Sequence, residues 1–423
     1  MRYPIKACVL AISALFISAP IWAAEGVAQA ASLKEAITEG KPTINFKFRY
    51  ENVNQEGTLD TAEAFTLRSL IGWKTKPFHD ISVAAEVYGL SPLNDDYNDL
   101  KKGSPIASRK KYSAIADPED YDFHQLYVEW TGIPNSSVKL GRQTMVLDNW
   151  RYVGDVRFRQ NWQVFNGLSL LNKSLPNTEV ALAHYEQVKL INTKIENANI
   201  EIANVKYSFT PTTSLVGYGY LIDWDGRAQQ VKSNKTFGLR LDGSQKLDDH
   251  WKVLYTAEYA KQDDYKDGSK LIDNHYYLVG AGAGYGDWFL RVDQEKLSSN
   301  SDNKAFQTPL GTNHLFQGWT DLFLVTPDQG VEDTILIAGG KVMDATIKAE
   351  YHFINADRDF TKVGGGKGDR YGKAFDLGVY YEFTKQVSGS VEYANFKEDD
   401  EYKNTASRKR DTETFWITAV YAF

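Results

Sequence analysis

Four arginines stand close together in a segment that is also rich in aromatic and amide side chains. Arg142 follows a glycine, and Arg151, Arg157 and Arg159 complete the group within 18 residues. A guanidinium stays charged at physiological pH, and its planar fork pairs with a carboxylate through two hydrogen bonds. Such a segment is suited to attracting anionic solutes if it folds into a water-filled pore and narrows it.

Two other uses of these arginines remain open. The segment can be ion-paired to acids such as Glu129 and Glu295, or it can face outward and contact lipopolysaccharide phosphates. Catalysis is not expected, because the seven histidines form no arguable Ser/His/acid set and no pair with metal-ligand spacing. The sequence therefore predicts a protein that is not an enzyme and needs no metal and no cofactor.

The elements that must position these arginines show strict alternation of apolar and polar residues. Aromatic residues alternate with polar and charged ones in Thr43–Val53, and similar patterns recur in 63–74, 251–259 and 375–383. Residues two apart on a strand share a face, so each segment is predicted to be a strand with one apolar and one charged face.

Short turns and long polar connections follow these strands alternately. Strands of about 9–11 residues suit a tilted membrane crossing, and short turns at one end with long loops at the other are typical of outer-membrane barrels. A soluble sandwich or propeller is the competing interpretation. We predict an all-β, antiparallel transmembrane β-barrel of about 18 strands, with 16 as the alternative, short periplasmic turns and long extracellular loops.

Both ends of the chain fit an exported barrel. Residues 1–24 read as a signal peptide, which also contains the single cysteine, Cys8. Residues 25–42 form a periplasmic leader in which a capping-box pattern favours a short helix, and 43–423 form the barrel. The expected location is the bacterial outer membrane.

The last strand carries aromatic residues at alternate positions, including Tyr421 and Phe423. We expect this strand to close the barrel by pairing with Thr43–Val53. Alternate aromatics that end in phenylalanine also resemble the signal by which the barrel-insertion machinery recognises its substrates.

The polar strand faces are predicted to line the lumen. The inward cations are Lys47, Arg49, Arg68, Lys139, Arg240, Arg291 and Lys348, and the inward acids include Glu51, Glu86, Glu129, Glu258, Asp293, Glu295, Glu350 and Glu382. Because both signs are present, selectivity must come from local clusters. A formal net charge of −7 argues against a nucleic-acid partner, whose binding surface would be basic.

A second segment, Phe306–Asp321, is too apolar and aromatic for a solvated loop, and we expect it to pack into the barrel mouth or cover it. With this block the sequence resembles the alginate export family of bacterial outer-membrane proteins. The resemblance rests on Thr66-Leu67-Arg68, Val138–Gln143, Asp148-Asn149 with Arg151, Arg157 and Arg159, Phe306–Asp321, and the terminal aromatic strand.

That resemblance implies an 18-stranded barrel with an arginine-rich constriction through which the best-known members pass an anionic polysaccharide. The constriction maps most directly onto Arg142 and less directly onto Arg68, Arg151 and Arg159. We therefore expect a monomeric channel, surrounded by outer-membrane lipid and lipopolysaccharide, for hydrophilic anionic or carbohydrate solutes. The alternative is a general or differently specific diffusion porin with no alginate role, and a third hypothesis is a plugged barrel acting as an adhesin or enzyme.

Overall fold

The computed structural model describes residues 28–57, 59–101 and 107–423. The predicted signal peptide, 1–24, lies outside the described residues. Within those described ranges, no helix is both long and apolar enough to span a membrane.

The leader contains a short helix, α1 (Leu33–Thr38). The Ser32 hydroxyl accepts a hydrogen bond from the Glu35 amide at 3.1 Å, and the Glu35 carboxylate accepts one from the Ala31 amide at 2.9 Å. These reciprocal bonds satisfy donors that the first helical turn leaves free. The leader is then fixed to the turn after β2, because Lys76 pairs with Glu35 at 2.8 Å.

Eighteen antiparallel strands form one closed sheet. They are β1 (Lys41–Gln55), β2 (Ala62–Lys74), β3 (Ile81–Pro92), β4 (Asp120–Trp130), β5 (Ser136–Gln143), β6 (Val164–Asn172), β7 (Thr178–Lys189), β8 (Ile195–Thr210), β9 (Thr213–Trp224), β10 (Asn234–Lys246), β11 (Trp251–Asp264), β12 (Asp273–Tyr285), β13 (Trp288–Leu297), β14 (Val331–Val342), β15 (Ala345–Thr361), β16 (Lys367–Glu382), β17 (Val387–Glu398) and β18 (Thr412–Ala422). Two short helices, α2 (Arg227–Gln230) and α3 (Asp400–Lys403), lie in the connections after β9 and β17. The predicted fold class is confirmed.

Closure is made by β18, which pairs with both β17 and β1. The predicted pairing of the last strand with β1 is confirmed, and in its register Phe48 lies opposite Ala419 and Tyr50 lies opposite Ile417. A closed sheet has no edge strand, so the backbone groups of every strand find partners without water, as a bilayer requires.

Alternation along each strand separates the interior from the lipid-facing surface. In β11, Glu258 is buried while Ala257 and Tyr259 are exposed. Large apolar side chains are exposed around the outside, among them Ile71, Val87, Leu140, Leu239, Val279, Leu290, Val292 and Ile417. Exposed aromatic residues at the periplasmic strand ends are Trp73, Trp130, Trp251, Trp288 and Phe383. This is the apolar band and aromatic girdle of a membrane barrel.

Two long connections fold into the interior. We name them L3 (residues 144–163, between β5 and β6) and L7 (298–330, between β13 and β14). From L3, Tyr152 is buried against the wall tyrosines Tyr218 and Tyr276, and from L7, Phe306 is fully buried against Tyr276. The predicted packing of the Phe306–Asp321 segment into the barrel is confirmed, and the hydrophobic core lies inside the cylinder.

Candidate functional site

L3 and L7 are joined to each other by backbone hydrogen bonds. The Gly154 amide donates to the Leu310 carbonyl at 2.9 Å, and the Thr312 amide donates to the Trp150 carbonyl at 2.9 Å. The Gln163 side-chain amide donates to the carbonyls of both Gly154 and Leu310, at 2.8 and 2.9 Å. The two loops therefore form one unit, which we call the plug.

Arg159 connects the plug to the wall. One guanidinium nitrogen, Nη1, donates to both Glu51 carboxylate oxygens at 2.9 and 3.0 Å, and Nη2 donates to Asp321 Oδ2 at 2.6 Å. His314 Nδ1 lies 2.7 Å from the other Asp321 oxygen. Burial opposes ionisation of Asp321, but the electrostatic attraction and hydrogen bonds of His314 and Arg159 outweigh it and lower the pKa of Asp321 to about 2. β1, L3 and L7 thus share one chain of charge-assisted hydrogen bonds.

Arg151 and Arg157 are also neutralised by nearby acids. Arg151 Nε lies 3.2 Å from Glu295 Oε1, and the Arg157 guanidinium bonds both oxygens of Asp155 at 2.7–3.0 Å. For Arg151, the pairing with Glu295 is one of the alternatives left open by the sequence. These two arginines therefore hold L3 in shape as well as lining the interior.

Lys47, Arg49 and Arg68 form a group of a different kind, which we call the β1–β2 cation cluster. Lys47 and Arg68 are opposite each other in the β1–β2 register, and Arg49 is two residues along the same inward face. Lys47 and Arg68 have no carboxylate within 4.0 Å among the described residues. The nearest carboxylate to Arg49, Glu51 at 4.0 Å, is held by Arg159 through both oxygens.

The plug covers this cluster with neutral groups. Lys47 Nζ donates to the backbone carbonyl of Phe158 at 2.8 Å, and Arg49 Nη1 donates to the same carbonyl at 2.7 Å. The Arg68 guanidinium lies 4.4 Å from the Trp162 ring centroid, and its Nε and Nη2 have no hydrogen-bond partner. The cluster therefore holds donor capacity that no side-chain anion of the described residues satisfies.

On the opposite side of the barrel wall, two of the inward cations are paired with acids. β10 lies nine strands from β1 in the closed order, and there Arg240 pairs with Glu258 at 2.7 Å. Nearby on β13, Arg291 pairs with Asp293 at 2.5 Å. Four of the predicted lumen acids are buried on inward faces, namely Glu129, Glu258, Asp293 and Glu295, whereas Glu86 is half-buried and Glu382 is exposed at the end of β16. Arg240 and Arg291 are thus paired with acids, whereas the β1–β2 cation cluster is not.

Lys139 also lies on an inward face, nearer the periplasmic end. It is opposite Glu129 in the β4–β5 register, and its ammonium lies 4.7 Å from the Tyr127 ring centroid. Glu129 in turn pairs with Lys74 and accepts a hydrogen bond from the Ser137 hydroxyl at 2.5 Å. This charge group lies below the plug and does not belong to the constriction.

Arg142, the residue expected to define the constriction, lies in the wall, where its hydrogen bonds run to β4 and β6. It is opposite Leu126, whose side chain is exposed on the outer face of the wall. Its Nη1 donates to Asp122 Oδ2 at 2.7 Å, and Lys189 Nζ reaches the same oxygen at 2.7 Å. β5 pairs with β4 only at Leu126–Trp130, so Arg142 and Lys189 bridge the part of the wall where β5 has turned inward.

Sequence reasoning missed the loop partners of the arginines. Asp321 and His314 lie in a segment without period-2 alternation, so no pattern indicates which way their side chains point. The contact from Arg159 to Asp321 joins residues 162 positions apart. The only available signal was the apolar character of the segment, which predicted its burial but not its ion pairs.

No protein-family model and no curated protein sequence matches this chain. Several solved structures share its fold. OccAB1 of Acinetobacter baumannii is 10% identical, with a TM-score of 0.70 over 94% of this chain and 99% of that one. OccK9 (OpdG) of Pseudomonas aeruginosa is 13% identical, with a TM-score of 0.68 over 92% and 99%. The outer membrane protein opdK of Pseudomonas aeruginosa is 13% identical, with a TM-score of 0.64 over 90% and 99%.

These comparisons correct one expectation. The resemblance to the alginate export family is wrong, because the solved structures that share the fold are Occ and OprD outer-membrane porins. The position of Arg142 in the wall agrees with this correction, since the supposed family constriction mapped most directly onto that residue. The fold is that of an outer-membrane porin barrel.

Proposed function

We propose that this chain is a passive outer-membrane channel for small hydrophilic solutes, with a preference for anionic ones. The observation that carries the preference is the β1–β2 cation cluster. Its three cations face inward beside L3 and lack carboxylate partners of their own, whereas Arg240 and Arg291 on the opposite side are paired. The porin fold supports the channel, and the plug supports a narrow bore that suits small solutes better than a polymer.

The cluster would act by attracting the charge of the solute. A carboxylate that reaches Arg49 and Arg68 would gain charge-assisted, bidentate hydrogen bonds in place of the neutral carbonyl and ring contacts that L3 now supplies. Because Lys47, Arg49 and Arg68 are buried beneath L3, a small displacement of L3 is part of this mechanism. The electric field would point from the β1–β2 side of the lumen toward the β10–β13 side, where the cations are paired with acids. This field would orient a dipolar solute.

Planar-bilayer recording with a salt gradient tests the proposal. The purified wild-type protein should conduct, and its reversal potential should indicate anion preference. The double variant Lys47→Met/Arg68→Gln should lower the anion-to-cation permeability ratio several-fold. Lys385→Gln is the matched control, because Lys385 is an exposed cation in the periplasmic turn after β16, and it should leave the ratio unchanged.

The outcomes separate the hypotheses. Conductance without anion preference would favour an unselective diffusion porin. Anion preference that persists in the double variant would remove the β1–β2 cation cluster from the mechanism. Absence of conductance in a folded barrel would contradict the channel itself and favour a permanently plugged structure.

A further inference from the structure

Three side chains on two neighbouring strands direct metal-ligand atoms toward one another inside the barrel. Glu350 and His352 lie on the inward face of β15, and Asp376 lies opposite Glu350 on β16. His352 Nε2 is 3.2 Å from Asp376 Oδ2 and 4.0 Å from Glu350 Oε2, and the three atoms lie within 4.8 Å of one another. Two ligands of one tetrahedral Zn²⁺ ion are roughly 3.4 Å apart, so small side-chain shifts would place all three around one ion.

The three facing atoms are buried and lack hydrogen bonds. The side chains of Glu350, His352 and Asp376 are 5%, 1% and 0% exposed. Glu350 Oε2, His352 Nε2 and Asp376 Oδ2 have no hydrogen-bond partner, because the contact between the imidazole and Asp376 lacks hydrogen-bond alignment. Buried polar atoms are rarely left without partners. A cation between them would engage all three lone pairs at once.

A fourth carboxylate orients the histidine for this role. Asp333 Oδ2 on β14 lies 2.8 Å from His352 Nδ1, the ring nitrogen that faces away from the other two ligands. Histidines that bind metals usually donate this second N–H to a carboxylate, which leaves the opposite nitrogen free to coordinate. The arrangement therefore has three candidate ligands and an outer carboxylate, Asp333, that orients the histidine.

The local charge also suits a divalent cation. Asp333, Glu350 and Asp376 contribute three negative charges, and Lys348, whose ammonium lies 2.7 Å from Glu350 Oε1, supplies one positive charge. With a neutral imidazole the group needs two further positive charges. A mixed nitrogen and oxygen set favours Zn²⁺ and neighbouring first-row ions over Mg²⁺ and Ca²⁺, which prefer oxygen ligands alone.

We propose that Glu350, His352 and Asp376 bind one divalent ion of the Zn²⁺ type and that this ion fixes L7 against the wall. Asp376 carries the connection, because its Oδ1 accepts a hydrogen bond from the Trp319 amide of L7 at 3.2 Å while Oδ2 faces the site. Trp319 packs with Ala394 and Trp416 on the adjoining wall. Binding at Oδ2 would hold the carboxylate in the orientation that anchors this part of L7.

Metal binding can be measured on the folded, full-length barrel without any transport assay. After removal of metals with a chelator, wild-type protein should bind one Zn²⁺ per chain in calorimetry, and Co²⁺ should give a visible absorption band. His352→Gln and Asp376→Asn should each weaken binding at least 100-fold. His124→Gln is the matched control, because His124 is another buried lumen histidine beside one carboxylate, Glu86 at 4.0 Å, and it should bind like wild type.

Folding of each variant is checked by the migration of unboiled barrel on a denaturing gel. Wild-type barrel that binds no Zn²⁺, or folded His352→Gln and Asp376→Asn variants that bind it as tightly as wild type, would overturn the site and indicate a histidinium held between two aspartates.

The proposed effect of the metal on L7 is tested by a separate measurement. Saturating Zn²⁺ should slow hydrogen exchange around Trp319 in wild type but not in His352→Gln. Unchanged hydrogen exchange in metal-loaded wild type would overturn the proposal that the ion fixes L7 against the wall. Because none of these measurements uses conductance, they distinguish failure of this site from failure of the proposed channel.

Discussion

Arg159 links three elements of the structure through one side chain. It bonds Glu51 of the wall and Asp321 of L7 while it belongs to L3 itself, so three elements depend on one guanidinium. Removing one partner from a buried ion pair leaves an uncompensated charge, which destabilises by about 3–5 kcal/mol. In Arg159→Gln, Glu51 and Asp321 would lose the guanidinium together, and Asp321 would keep only its contact with His314.

We therefore predict that Arg159→Gln releases the plug without unfolding the barrel. Trypsin cleavage within L3 and L7 should become at least tenfold faster, and single-channel current should rise and become noisier. Lys385→Gln serves as the control, because Lys385 is an exposed cation in the periplasmic turn after β16, away from the plug. Equal cleavage rates in wild type and Arg159→Gln would show that other contacts are sufficient to hold the plug.

The same residues show how far the sequence could predict the site. Lys47, Arg49 and Arg68 were correctly placed on the inward face, because strand geometry forces period-2 alternation and the apolar face must meet lipid. The expected place of Arg142 follows from a motif, whereas the structure bonds its guanidinium to Asp122, Phe123 and Asn166 of the neighbouring strands. Motif resemblance carries no information about which way a side chain points.

At the scale of elements, the contact between L3 and L7 depends on two glycines. A Cβ built on Gly311 would lie 2.2 Å from the Arg151 carbonyl, and one on Gly154 would lie 2.2 Å from Thr312 Oγ1. Neither glycine has a positive φ, so close approach and not backbone conformation explains the absence of a side chain. L3 can approach L7 this closely only because Gly311 has no side chain, and L7 can approach L3 only because Gly154 has none.

Gly311→Ala should separate the two loops locally, because a backbone carbonyl cannot move aside as a flexible side chain can. We expect faster hydrogen exchange at the amides of Gly154 and Thr312, with unchanged exchange in the strands. Gly217→Ala is the matched control, since a Cβ there meets only a Leu239 methyl at 3.4 Å. Exchange at Gly154 and Thr312 that matches wild type in the Gly311→Ala variant would contradict the close packing of the loops.

The elements also show why the strands were predictable and the plug was not. Turns such as Gly286-Asp287 join strands that are already neighbours in sequence, so the strand order follows from chain order alone. L3 and L7 are separated by eight strands and meet only because the cylinder brings them together. The sequence predicts that Phe306–Asp321 is buried, but nothing in it identifies L3 as the partner. The Glu350/His352/Asp376 group was missed for the same reason, since its ligands come from two strands.

At the scale of the whole molecule, pairing between β1 and β18 closes the barrel and so creates the lumen that contains the plug. The amide of Phe423 donates to the Ile44 carbonyl at 2.8 Å, and the Ile44 amide donates to the Phe423 carbonyl at 3.0 Å. The ladder between the two strands therefore continues past β18 to Phe423. An open seam would leave unpaired backbone groups in the bilayer, each of which is costly there.

This closure can be trapped covalently, because Cys8 is the only cysteine of the sequence and lies in the predicted signal peptide. Phe48 and Ala419 are directly opposite each other on the outer face, and opposed residues of antiparallel strands have Cα separations of about 4.5–5.5 Å, within disulfide range. Phe48→Cys/Ala419→Cys should therefore crosslink under mild oxidation in the folded barrel, seen as a mobility change that reductant reverses. Phe48→Cys/Phe415→Cys should not crosslink, because Phe415 pairs with Asn52, four residues or roughly 13 Å further along β1. Crosslinking of both pairs at similar rates would mean that the seam slides or opens, and a sliding seam would also shift Glu51, the wall residue to which Arg159 anchors the plug.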